Sequence, residues 1–315
     1  MKMLTRNETA DFLLKNDNYA ILTHRRPDGD TIGSSAALCR ILRKLGKTAH
    51  IIRNAEVSDR FAWLHEGLTK EEAAENDTIV TVDVASPGML PKDFEQYLGK
   101  IALRIDHHAS ATSFTENELV DSGAAACAEI IFDLMEHLWV AMDADIANAV
   151  YVGTSTDTGC FRFANTTSHT FLTAAACAAA GAKVYQINQE LFETNTLGRL
   201  KIQGWIVENM KVFSAGKLAL VAIPKAVEES IGVTEDDMDN ISSFPRTISG
   251  VCMAATLRET KEADVKLSVR AIPGFDATII TGQFGGGGHK GAAGATLKMS
   301  LNEAALAVEK AMLEL

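Results

Sequence analysis

The sequence predicts an α/β protein: a parallel-sheet N-terminal domain with helices on both faces, and a smaller α/β C-terminal domain across a cleft. Three observations carry that prediction. Apolar, β-rich runs alternate with helical stretches through the first half of the chain, the pattern of a parallel sheet covered by helices. The pattern changes character near residue 213. At 315 residues, the chain exceeds what one hydrophobic core comfortably serves.

Strands are expected at Tyr19 to Thr23, Thr48 to Arg53, Thr78 to Val82 and Ile101 to Ile105. Between the first two, Ile32, Ala36, Leu38, Ile41, Leu42 and Leu45 recur at helical spacing and Gly46 suits a C-terminal cap, which makes a βαβ unit. Ala-rich helices are expected over 124–139, 144–154 and 168–180. The stretch 183–213 stays helical and polar, so the expected division is a first domain at 1–190, a connecting helix at 191–213 and a second domain at 214–315. In the second domain the expected elements are strands at Leu218 to Ile223, Gly250 to Arg258, Val265 to Ile272 and Ala295 to Leu297, a glycine-rich turn at Gly285 to Gly288, and a closing helix from Asn302.

Composition narrows the function. The 30 Lys and Arg against 41 Asp and Glu leave a net charge of −11, which argues against avid binding of long nucleic acid, since that needs a basic surface to release counterions. Short anionic substrates fit if positive charge is supplied locally, as by bound metal. Cys39, Cys127, Cys160, Cys177 and Cys252 are far apart and read as buried thiols rather than a zinc or redox set. No apolar run approaches roughly 18 residues and the first residues lack an apolar signal core, so no membrane is expected and the cytoplasm is the expected compartment.

The candidate chemistry sits at strand ends, where α/β sheets place their sites. His24, Asp28 and Asp30 follow the first strand, Asp83 ends the third, and Asp106, His107 and His108 end the fourth. Taken alone, Asp30 reads equally as a helix cap and Asp28-Gly29 as a turn; recurrence at three of four strand ends favours a site. Asp157 closes a helix, where its charge is unfavourable against the helix dipole unless a cation neutralises it. Carboxylates with a minority of imidazoles suit manganese or magnesium better than structural zinc. Four carboxylates balance two dications, and such a pair can hold an attacking water and a phosphoryl group together.

His24-x-x-x-Asp28-x-Asp30, then Asp83, then Asp106-His107-His108, then Thr156-Asp157-Thr158-Gly159 resemble the DHH phosphoesterase family in all four of its ordered motifs. The resemblance implies one metal on His24, Asp28 and Asp83, and a second on Asp30, Asp83, His107 and Asp157, with Asp83 shared. It implies that His108 faces the substrate as phosphate ligand or acid, and that Asp106 holds a ligand imidazole from behind. Gly285 to Gly294 with His289, preceded by Ser268-Val269-Arg270, is similar to the DHH-associated C-terminal domain. That similarity makes Ser268, Arg270, Gly286, Gly287, Gly288 and His289 the expected substrate-binding residues; Ala271 departs from the Ser expected there.

The pyrophosphatase branch ends in a Ser-Arg-Lys-Lys motif absent here, so the resemblance narrows to the oligoribonuclease and 3′-phosphoadenosine-5′-phosphate phosphatase group. The implied activity is hydrolysis of short oligoribonucleotides or that nucleotide by water activated between two cations, manganese before magnesium or cobalt. The alternatives are a phosphodiesterase for cyclic or linear dinucleotides and a non-catalytic nucleotide sensor. Dimers among relatives imply a homodimer.

Overall fold

The computed structural model describes residues 2–109, 111–238, 240–260 and 264–315. The chain divides into two compact units, Met1–Thr194 and Asn195–Leu315. Among the described residues no helix is long and apolar enough to cross a membrane.

The first unit is built on seven strands: β1 (Lys2–Met3), β2 (Tyr19–Leu22), β3 (Ala49–Ile52), β4 (Thr69–Lys70), β5 (Thr78–Val82), β6 (Ile101–Asp106) and β7 (Asn117–Val120). Their order is β1-β7-β6-β5-β2-β3-β4, and every pairing is parallel. The chain winds outward from β2 to β3 and β4, then returns to β5 and winds the other way. The switch of direction between β2 and β5 opens a crevice at their carboxyl ends, where α/β sheets bind ligands.

β2 is buried on both faces because its side chains alternate between two cores. Tyr19 and Ile21 join Val80, Val82, Leu103 and Ile105 against Ile32, Leu38 and Ile41 of the helix Gly29–Lys44, with Ile130 and Leu134 of Cys127–Leu138 and Val150 of Ala144–Asp157. Ala20 and Leu22 join Ile79, Leu90, Phe94 and Tyr97 on the opposite face, which is covered by 3₁₀ turns at Pro87–Met89 and Lys92–Tyr97. The helix Gly29–Lys44 starts where the Asp28 carboxylate accepts from the amides of Asp30 (3.0 Å) and Thr31 (3.2 Å). The cap is therefore Asp28, not Asp30. The helix stops before Gly46, whose φ of +77° lets the amides of Gly46 and Lys47 return to the carbonyls of Arg43 and Leu42.

The second unit carries β8 (Lys211–Phe213), β9 (Leu218–Ile223), β10 (Met253–Glu259), β11 (Val265–Ala271), β12 (Gly287–His289) and β13 (Ala292–Leu297), in the order β12-β13-β11-β10-β9-β8. Only β9 and β10 pair parallel. One face packs on the closing helix Leu301–Leu313 through Ala304, Val308 and Met312.

Three expectations are corrected here. The segment 191–213 is not one helix: a π-helical turn at Gln189–Glu193 ends before Thr196, which caps the helix Leu197–Asn209, and the chain then enters β8. That helix packs Ile202 and Ile206 against Val221 and Ile223 of the second unit. Part of the glycine-rich segment is strand rather than turn, since Gly287, Gly288 and His289 pair with Gly294, Ala293 and Ala292. The strand expected from Ala295 begins at Ala292, because backbone pairing to β11 outweighs the poor strand propensity of Ala-Ala-Gly.

Candidate metal centre and active site

All six residues expected to bind metal converge at the β2/β5 crevice. Nε2 of His24 lies 3.6 Å from Asp28 Oδ1 and 3.5 Å from Asp83 Oδ2. Nε2 of His107 lies 3.7 Å from Asp30 Oδ2, 3.5 Å from Asp83 Oδ1 and 3.4 Å from Asp157 Oδ2. Separations of this size are too long for hydrogen bonds. They approach the spacing of two ligands each about 2.1 Å from one shared cation. The groups His24, Asp28, Asp83 and Asp30, His107, Asp157 each bring their donor atoms within 4.8 Å of one another. The two oxygens of Asp83 face opposite ways, one toward each histidine.

The donor set fits dications on three further counts. Each imidazole uses Nδ1 on a backbone carbonyl, His24 on Arg25 (2.8 Å) and His107 on Ala124 (3.2 Å), which turns both Nε2 lone pairs into the cluster. Asp83 Oδ1 is buried without a hydrogen-bond partner. The electrostatics of the metal-free cluster are also unresolved. Burial opposes charge on both imidazoles, yet Asp28 and Asp83 push the His24 pKa up to about 11, and Asp83, Asp30 and Asp157 push His107 up to about 10. Burial first, then neighbouring carboxylates, raise Asp30 and Asp157. Cations would relieve the crowding of acids and release the protons held on the histidines.

Local structure holds each donor. Asp83 takes φ of +59°, a left-handed conformation rarely held by a non-glycine residue, and this turns the carboxylate off the end of β5 into the crevice. Asp30 accepts from the amides of Cys127 (2.6 Å) and Ala128 (2.9 Å) and from Ser34 Oγ (3.0 Å), so the N-terminus of Cys127–Leu138 fixes it. Gly33 and Gly153 let the helices carrying Asp30 and Asp157 touch: a Cβ on Gly33 would stand 2.4 Å from the Ala149 carbonyl oxygen, and one on Gly153 would stand 2.8 Å from Asp30 Oδ1.

His108 also faces Asp83, with its Nδ1 3.5 Å from Asp83 Oδ1, and Asp83, His107 and His108 form a third group of donor atoms within 4.8 Å of one another. Nδ1 of His108 meets Asp106 Oδ1 at 2.8 Å, and that bond, partly opposed by burial, raises its pKa. Asp106 therefore orients His108, where a ligand imidazole was expected; the ligand His107 is oriented by Ala124 instead.

Residues 18–154 match the N-terminal domain of the DHH family, and residues 219–314 match the DHHA1 domain. The bifunctional oligoribonuclease and PAP phosphatase NrnA of Thermus thermophilus is 34% identical over 281 residues, covering 88% of this chain and 83% of that protein. The chain belongs to the DHH family. The NrnA protein of Bacillus subtilis, which carries the same description, is 27% identical and covers 89% of this chain and 90% of its own. Among solved structures, an exopolyphosphatase-related protein from Bacteroides fragilis shares the fold with a TM-score of 0.89 at 23% identity, covering 98% of this chain and 96% of that one.

In this DHH chain Ser268, Arg270, Gly287 and His289, among the residues expected to bind substrate, share one face of the second sheet, while Gly288, opposite Ala293, belongs to the other face and Gly286 precedes β12. Antiparallel register sets Arg270 opposite Ala292 and Ala292 opposite His289, while Ser268 lies opposite Gly294 and Gly294 opposite Gly287. Residues directly opposite, and residues two apart, point to the same side. Small residues thus floor a strip between Arg270 and His289, whose backbones are two strand spacings, about 10 Å, apart. Among the described residues no carboxylate pairs with Arg270, and burial together with Arg246 lowers its pKa. Gly286 is obligatory, because a Cβ there would meet the Gly294 carbonyl oxygen at 2.2 Å.

Two positioning residues escaped the sequence reading. Asn54 Nδ2 donates to Thr23 Oγ1 (3.0 Å) and the His24 carbonyl (2.9 Å), bracing the first metal loop from the end of β3. Asn165 Nδ2 donates to the carbonyls of Asp157 (3.1 Å) and Ala125 (3.0 Å). Both had a signal: Asn54 follows the one strand end of four that carries no Asp or His, and Asn165 lies in the segment that continues from Asp157.

Proposed function

We propose that this DHH protein is a divalent-metal-dependent phosphoesterase that hydrolyses short oligoribonucleotides and 3′-phosphoadenosine 5′-phosphate, the substrates named in the descriptions of its NrnA relatives. The observation that carries the reading is Asp83 facing two histidine-centred donor groups at once. Two dications, manganese before magnesium or cobalt, would be held by His24, Asp28 and Asp83 and by Asp30, Asp83, His107 and Asp157, and would supply Lewis-acid charge and an acidified water.

The chain's own residues do the rest. Asp106 keeps the Nδ1 side of His108 occupied, so a proton on Nε2 is available to the leaving oxygen. As the water oxygen bonds to phosphorus and gives up a proton to solvent, the ester bond breaks, the His108 proton passes to the leaving oxygen, which departs as a hydroxyl, and His108 is reprotonated from solvent. Arg270 and His289, on the glycine-floored strip, bind a further phosphate of the nucleotide. The acidic chain discourages long polymers and so favours short ones. A homodimer in the cytoplasm is part of the same reading.

The test is purified protein with manganese, offered a labelled dinucleotide, 3′-phosphoadenosine 5′-phosphate and a cyclic dinucleotide. The first two are expected to be hydrolysed, and Asp83→Ala to lower turnover by at least about 10²-fold. Full turnover by that variant would overturn the proposal.

A further inference from the structure

Arg104 is one of the largest side chains wholly inside the first unit, 1% exposed, and belongs to none of the motifs above. It sits on β6 two residues before Asp106, between Thr81 of β5 and Glu118 of β7. Burying a guanidinium is costly unless its charge and donors are met. Here the charge and the two Nη groups are met by Glu118 of β7 and by carbonyls from two loops, while Nε is buried without a hydrogen-bond partner. Nη2 donates to Glu118 Oε2 (2.8 Å), and Nη1 donates to the carbonyls of Ala85 (3.1 Å) and Thr112 (3.0 Å), with the guanidinium 5.0 Å from the centre of the Phe114 ring.

Ala85 follows Asp83 by two residues, and Thr112 follows His108 by four. One planar fork therefore grips the loop carrying the shared carboxylate and the loop carrying both imidazoles. The grip is reinforced on each side. The Thr112 amide donates to the Ala85 carbonyl (2.8 Å). The other oxygen of Glu118 accepts from Ser113 Oγ (2.8 Å), the amides of Phe114 (3.0 Å) and Thr115 (3.2 Å), and Thr115 Oγ1 (3.2 Å). Asp106 Oδ2, buried with no hydrogen-bond partner, lies 3.8 Å from Arg104 Nη1, while Asp106 Oδ1 holds His108.

We infer that Arg104 is a positioning residue for phosphoester hydrolysis, fixing the distance and angle between Asp83 and His108 by tying their loops together through its fork. The inference rests on the function proposed above. It is specific to the planar group: a lysine ammonium keeps the charge and three donors, but they radiate from one atom, whereas the fork meets the carboxylate with one nitrogen and the two carbonyls with another. The groups proposed to bind the substrate's distant parts lie elsewhere, so at saturating manganese the loss falls on the chemical step.

The experiment compares Arg104→Lys with the natural protein in three ways: thermal unfolding, amide exchange in metal-free protein, and kcat and KM on a dinucleotide with manganese. Expected are a folded variant, exchange at Thr112, Phe114 and Thr115 faster by at least about 10-fold, and kcat lowered about 10–100-fold with KM within about twofold. Unchanged kcat in folded Arg104→Lys overturns the inference, as does a loss that matches the unfolded fraction or a fall in kcat with unchanged exchange. Should Arg104→Lys not fold, Glu118→Gln frees one end of the same fork and must show the same split between kcat and KM; if it does not, the inference falls. A natural protein that hydrolyses nothing would instead overturn the proposed function, and exchange would still report whether Arg104 ties the two loops.

Discussion

Gly33→Ala offers a direct test of how closely the metal centre depends on helix spacing. The added methyl carbon would stand 2.4 Å from the Ala149 carbonyl oxygen and 2.8 Å from the Gly153 nitrogen, both backbone atoms that no rotamer change can move. A carbon–oxygen contact relaxes to about 3.3 Å, so the helices Gly29–Lys44 and Ala144–Asp157 must part by about 0.9 Å. Overpacking of this kind costs about 1–3 kcal/mol, and alanine's better helix propensity returns about 0.5–1 kcal/mol. The net of about 1–2 kcal/mol lowers Tm by about 2–8 °C in a unit of this size. A domain with the usual 5–15 kcal/mol of stability, roughly, then remains almost wholly folded. Asp30 lies one turn before Gly33 and Asp157 one turn after Gly153, so the same displacement separates two donors to one cation. Misplacement by about 1 Å is expected to lower kcat on the order of 10²-fold, far beyond any loss of folded protein. The measurements are a melting curve without metal and steady-state kinetics with manganese. Full kcat with Tm within a degree of the parent would refute the reasoning, and so would a loss of activity that merely follows the folded fraction.

Adding manganese to metal-free protein at pH 7 in weak buffer is expected to release at least about two protons, one from each of His24 and His107, which are raised well above neutrality, with more from Asp30 and Asp157, raised to about 7 and about 8. Loading should accordingly weaken as pH falls, and release of less than one proton would remove the histidines from the ligand set. Burial drives the His65 pKa down to about 4, beside Ser35 Oγ at 2.9 Å and the Ile32 carbonyl at 3.3 Å. The unfolded chain protonates near pH 6.5, so this contribution is complete above that pH and falls by up to about 3 kcal/mol toward pH 4. His65→Gln should flatten that limb of the stability curve, and an unchanged slope counts against the assignment. Gly204, in the helix Leu197–Asn209, has nothing within 4 Å of where a Cβ would lie. Gly204→Ala should stabilise by about 0.5–1 kcal/mol in denaturant unfolding, and a destabilised variant would show a hidden constraint there.

The convergence of the proposed donors was legible in the sequence because a parallel sheet brings strand ends together whatever lies between them: His24, Asp83 and His107 each follow an apolar run. What escaped notice depends on pairs that periodicity does not join. Asp30 meets the amides of Cys127 and Ala128 across 97 and 98 residues. Gly33 meets Ala149 only because two helices cross there. Arg104 and Glu118 sit on adjacent strands that the sequence reading left half-named, since β7, Asn117–Val120, is short and begins with polar residues. Asp106 accepts from the His107 amide as well as meeting the His108 ring, and only geometry shows which of the two imidazoles it holds. The glycine run was read as a turn because glycine signals turns, whereas here its lack of side chains lets β12 lie close against β13.

Asp30 is both a proposed donor to the metal centre and the joint between two helices, accepting from Cys127, Ala128 and Ser34 while buried at 1% exposure. Its replacement would unfasten the scaffold as well as the chemistry. Any retuning of ion preference in this chain is thereby channelled toward Asp157, whose side chain is 30% exposed, since Asp28, though 58% exposed, also caps the helix Gly29–Lys44. The inner wall of the centre is committed to architecture, and its outer rim is where selectivity is free to drift.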